Sequence, residues 1–63
     1  MTKLKNLKNI IDYDVKVCLI LNGLALLCED IFEVVVKKYG KLEVVKIKPS
    51  KDGLIIEVKN NEN

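Results

Sequence analysis

The side chains able to do chemistry in this chain are few and poorly grouped. Carboxylates pair at Asp12 and Asp14 and cluster at Glu29, Asp30 and Glu33, an arrangement that a divalent cation or an acid and base pair could use. The same spacing suits acids that begin a structural element or fill the first half of a helix, which is the commoner use. There is no histidine, so the usual group for proton transfer near neutral pH is missing. Two cysteines cannot complete a tetrahedral zinc site. Ser50 and Thr2 are the only side-chain hydroxyls outside tyrosine, and neither has a base beside it in sequence to activate it. Gly23, Gly40 and Gly53 stand alone, far from the glycine density of a phosphate loop. The chain is therefore not expected to be an enzyme, and no metal or cofactor is implied.

The basic residues say more. All eleven are lysine, and arginine is absent, although arginine is the usual side chain for bidentate reading of phosphate and guanine. The net charge of +2 resolves into blocks: +3 over residues 1–11, −4 over 12–36, +5 over 37–51 and −2 over 52–63. Such blocks can steer a partner of opposite charge. Lys46 and Lys48, with Lys51 and with Lys37, Lys38 and Lys41, could make sequence-blind phosphate contacts. The stacking rings of a single-strand binder are missing from that region, since Tyr13, Phe32 and Tyr39 are the only aromatics and none lies on the lysine-rich run.

Sixty-three residues with 49% apolar and 32% charged side chains make one small α+β domain, 1–63. A domain of that size buries only about 60% of its unfolded surface and usually needs a metal, a disulfide or a partner. Cys18 and Cys28 sit among aliphatic residues and are expected as buried free thiols. The apolar runs at 17–21 and 24–28 are interrupted by Asn22-Gly23, too short to span a bilayer. A cytoplasmic protein without membrane contact is the expectation.

The elements follow from periodicity. Leu4, Leu7 and Ile10 or Ile11 mark one stripe of a basic helix over 1–11. Residues 15–21 are β-branched and aliphatic apart from Lys16, as in a strand buried on both faces. Wound as a helix, 24–39 gathers Leu24, Leu27, Cys28, Ile31, Val34, Val35 and Tyr39 on one side. Glu29, Asp30 and Glu33 then lie early, Lys37 and Lys38 late, and Gly40 takes a left-handed C-cap; Glu33 and Lys37 form an i,i+4 pair. Runs at 42–48 and 54–59 flank Pro49-Ser50-Lys51-Asp52-Gly53, a hairpin loop. In the second run Leu54, Ile56 and Val58 alternate cleanly with Ile55, Glu57 and Lys59. In the first, Val44 shares a face with Lys46 and Lys48. The result is a βαββ unit behind a short helix, with a three-stranded sheet packed on one helix and the other face needing the N-terminal helix or a second copy of the chain.

Two other arrangements fit. One is a single long helix over 15–39 followed by the hairpin, at a cost of about 1 kcal/mol for glycine in mid-helix. The other makes Asn22-Gly23 a hairpin turn. The cysteines separate them, being about 15 Å apart in the long helix and close neighbours across the hairpin.

The surface expected to meet a partner or second copy is Val44, Lys46, Lys48, Ile55 and Glu57, with Phe32 and Tyr39 from the helix. The function expected is that of a protein-binding module acting as a homodimer. A small lysine-rich nucleic-acid-binding or regulatory protein is the alternative.

In its shortness, its use of lysine without arginine, its asparagine and isoleucine content and its lack of catalytic groups, the chain resembles small proteins encoded by phages and prophages of low-GC Gram-positive bacteria. In size and make-up it is similar to the Hachiman anti-defence family. The resemblance spans the whole chain as composition and assigns no individual residue. It implies a non-enzymatic homodimer that inhibits a bacterial immune protein.

Overall fold

The computed structural model describes residues 2–60, with the side chains of Cys28 and Glu29 outside that description. The expected buried thiol at Cys28 and the acid at Glu29 therefore lie outside the described residues. A 3-10 helix, Leu4–Asn9, leads into strand β1 (Lys16–Leu21), strand β2 (Leu24–Ile31), helix α1 (Phe32–Tyr39), strand β3 (Glu43–Pro49) and strand β4 (Gly53–Lys59). The class is α+β. The strands form a four-stranded mixed sheet in the order β2-β1-β4-β3, with β1 and β4 parallel and the two hairpins antiparallel.

The first correction is at residues 24–39, which are not one helix, and neither is 15–39. Asn22 and Gly23 both hold positive φ, 53° and 82°, the backbone a tight two-residue hairpin demands. β2 consequently folds back along β1, and the sheet gains a fourth strand. Helix α1 starts only where its first amides find partners: Phe32 N–H donates to the Val15 carbonyl at 2.8 Å and Glu33 N–H to the Tyr13 carbonyl at 3.1 Å. These bonds satisfy two of the orphan donors at a helix start without a side-chain cap.

At the other end, Gly40 is right-handed, φ −58° and ψ −21°, so the expected left-handed cap is absent. Space explains this glycine instead. A Cβ there would lie 2.6 Å from the Val36 carbonyl oxygen and 3.2 Å from Cβ of Lys5. Glu33 and Lys37 are not among the ion pairs between described residues, which are Lys48–Glu57 and Lys59–Glu43.

The core is Leu4, Leu7, Ile11, Val17, Leu19, Phe32, Val35, Ile56 and Val58. Leu4 and Leu7 are eclipsed by the three-residue period of the 3-10 turn, and Ile11 rather than Ile10 completes their stripe. Phe32 and Val35, three apart on α1, close the same layer. The 3-10 helix and α1 therefore both cover one face of the sheet. β1 is buried on that face only, through Val17 and Leu19, and the expectation of burial on both faces is corrected.

β3 explains its uneven alternation. A register shift between Val44 and Lys46 inserts Val45 as an extra residue, leaving it 56% exposed. The bulge resets the pleat, so Val44 and Ile47 take the helix side, paired with Val58 and Ile56, while Lys46 and Lys48 take the other. Val44 accordingly does not share a face with Lys46 and Lys48. Among the described residues no helix is long and apolar enough to cross a membrane.

Candidate interaction surface

Among the described residues, the sheet face away from the helices is left bare. Alternation along the strands and the registers Cys18↔Ile55, Ile20↔Glu57, Ile20↔Ala25 and Lys48↔Ile55 put these side chains together on it. Cys18, Ile20 and Ile55 form its centre, half-buried by one another and by their sheet neighbours. Lys16, Lys46, Lys48 and Glu57 surround them, with Lys59 and Glu43 at one end. Among the described residues no element packs over this face.

Its charges are of both signs and partly paired. Lys48 Nζ lies 3.1 Å from Glu57 Oε2, diagonally across β3 and β4. Lys59 Nζ lies 3.8 Å from Glu43 Oε2, between directly opposed residues. Both lysines are open to water, which screens such pairs to about 0–1 kcal/mol. They set the pattern of the face rather than hold the fold.

Of the residues expected at a partner surface, Lys46, Lys48, Ile55 and Glu57 come together here. Val44 lies on the opposite side and packs against the core. Phe32 is a second correction: it is 0% exposed, stacked on Tyr13 with ring centroids 6.4 Å apart, and belongs to the core. Tyr39 is half-buried at the end of α1 and packs against the core from the helix layer, away from this face. Cys18 and Ile20 were not expected at the surface. Their signal was the alternation of Lys16, Cys18 and Ile20 with Val17 and Leu19, which a fully buried strand would hide.

The chemistry-bearing groups stay dispersed. Asp12 and Asp14 sit in the turn before β1, where the Asp12 carbonyl accepts from Val15 N–H at 3.2 Å. Among the described residues no three acidic or cysteine side chains come together as a metal site. Ser50 lines a cleft of about 220 Å³ with Lys16, Cys18, Lys51 and Asp52. Its N–H donates to the Gly53 carbonyl at 2.9 Å and closes the β3–β4 loop. No protein-family model, curated protein or solved structure matches this chain, so its function has to be read from these surfaces.

Proposed function

We propose that this chain is a non-enzymatic protein-binding module that works as a homodimer, two copies packing through their bare sheet faces. The observation that carries the reading is the apolar centre of Cys18, Ile20 and Ile55 on a face that no helix covers among the described residues. A domain of two layers buries one side of its sheet and must cover or solvate the other. The mixed charges around the centre allow a second copy to set lysines against Glu57 and Glu43 rather than against one another.

The edges of the sheet favour face-to-face association. On β3 the bulge at Val45, Pro49 and the two lysines discourage an added strand. Thr2 and Leu4 already bond to its start, through Val44 N–H to the Thr2 carbonyl and Leu4 N–H to the Leu42 carbonyl, both 2.8 Å. The register of β2 against β1 shifts twice, between Val17 and Leu19 and between Leu19 and Ile20, which kinks that edge as well. Four strands about 4.8 Å apart and some 20 Å long offer a footprint of roughly 400 Å². That is a small interface beside the standard ~800 Å² per partner, in the range of weak, transient association.

The resemblance to Hachiman anti-defence proteins makes a bacterial immune protein the proposed target, and inhibition in the host cytoplasm the proposed activity. A face of lysines without aromatics would otherwise hold phosphates weakly and without sequence preference. Light scattering at tens of micromolar tests the dimer: twice the chain mass supports it, and a monomer of undiminished thermal stability overturns it. Capture from a bacterial lysate by the native chain, against a bare-matrix control, tests the module. One protein retained in fixed proportion to the chain supports it, and nucleic acid alone in the eluate overturns it.

A further inference from the structure

The two lysine-rich blocks, separated by 25 residues of acidic chain, meet at the C-terminal end of α1. Backbone bonds clamp them there: Leu4 N–H to the Leu42 carbonyl at 2.8 Å and Lys5 N–H to the Gly40 carbonyl at 3.0 Å. A cleft of about 540 Å³ opens at the join. Its rim is Lys5, Lys37, Lys38 and Lys41, all exposed, and its floor is the half-buried Val36, Tyr39 and Leu42. Lys37 and Lys38 complement the helix dipole. That accounts for two of the four, because Lys5 and Lys41 come from outside the helix. None of the four takes part in the ion pairs between described residues.

The other end of α1 has the opposite sign. Asp30 and Glu33 lie at the helix start, and the Glu33 N–H to Tyr13 carbonyl bond holds the turn that carries Asp12 and Asp14 at the same end of α1. Glu33 stands four residues, about 6 Å of helix rise, before Lys37, so acidic charge lies within a Debye length, ~10 Å at 0.1 M salt, of the lysine rim. A long polyanion lying along the molecule would run from attraction into repulsion, whereas a short anionic segment would not. Recognition of nucleic acid also lacks a row of stacking rings, because Tyr39 is the one aromatic among the residues that line the cleft.

We infer that this basic cleft docks a short acidic segment of the target protein, carboxylates on the lysine rim and an apolar side chain on the floor of Val36, Tyr39 and Leu42. The inference rests on the protein-binding reading and names the chemistry of the partner.

The test is titration of the full chain with a fluorescein-labelled peptide of Glu and Asp interrupted by Leu, beside an oligo-dT of similar length. Backbone amide NMR maps the site. Saturable peptide binding that shifts Lys5, Gly40 and Leu42, and weakens about tenfold or more in Lys38→Glu/Lys41→Glu, is the expected result. Lys46→Glu/Lys48→Glu on the sheet face should leave it within about twofold. Absence of saturable binding, shifts centred on Lys46 and Lys48, or equal affinity for oligo-dT would overturn the inference. Light scattering on the same samples keeps the outcomes distinct: lost peptide binding with the dimer intact removes the cleft alone.

Discussion

Two glycines here are required for different reasons, and substitution separates them. Gly23 holds φ +82° with nothing within 4 Å of a prospective Cβ. Gly23→Ala should therefore cost only the left-handed strain, about 1–2 kcal/mol. Gly53 lies opposite Lys16 in the parallel β1–β4 pair, and a Cβ there would collide with the Lys16 carbonyl oxygen. That atom is backbone and cannot move aside without shifting the strand. Gly53→Ala should be the more damaging of the two, exceeding Gly23→Ala by about 1 kcal/mol or more, as read from urea unfolding midpoints. Phe32→Ala removes the largest fully buried side chain and should cost about 3–5 kcal/mol. In a small domain of about 5 kcal/mol total stability, that leaves a largely unfolded chain by circular dichroism.

At the scale of elements, the bulge in β3 makes Val45 a site of tolerance. Val45→Thr should change stability by less than about 0.5 kcal/mol, whereas Ile56→Thr on the neighbouring strand puts a hydroxyl in the core and should cost several times more. The β3–β4 hairpin and β4 were legible because Pro49 and Asp52-Gly53 mark the loop and Leu54–Val58 alternate without a break. Strand β1 was legible from its β-branched run. β2 was hidden: Leu24, Leu27 and Ile31 fit a helical stripe, and two register shifts against β1 erase the period of two that would betray a strand. Asn22-Gly23 was the decisive signal, since a hairpin turn is what both residues favour in the left-handed region. The same misreading moved Phe32 from the first residue of α1, facing the core, to the middle of a longer helix. On the sheet face, Lys46, Lys48, Ile55 and Glu57 were legible from β4 and its partner. Cys18 and Ile20 were not, because their exposure depends on which face the helices choose, and that is decided by chain connectivity rather than by local pattern.

The whole molecule is a single sheet with helices on one side, charge divided between the two ends of α1 and an uncovered apolar centre on the far face. In the proposed dimer a second copy would cover that centre, supplying burial that a domain of this size lacks, and would leave the basic cleft, on the helix side, free for the proposed target. Ile55→Glu places a charge in the middle of the proposed interface but outside the core. It should abolish the dimer and lower the melting temperature toward that of the dilute native chain, without changing the fold seen by circular dichroism. The most direct measurement is an isotope-filtered NOE experiment on a mixture of labelled and unlabelled chains. Intermolecular contacts among the methyl groups of Ile20 and Ile55 are the result expected, and their absence at millimolar concentration, or contacts confined to the edge strands β2 and β3, would contradict the account.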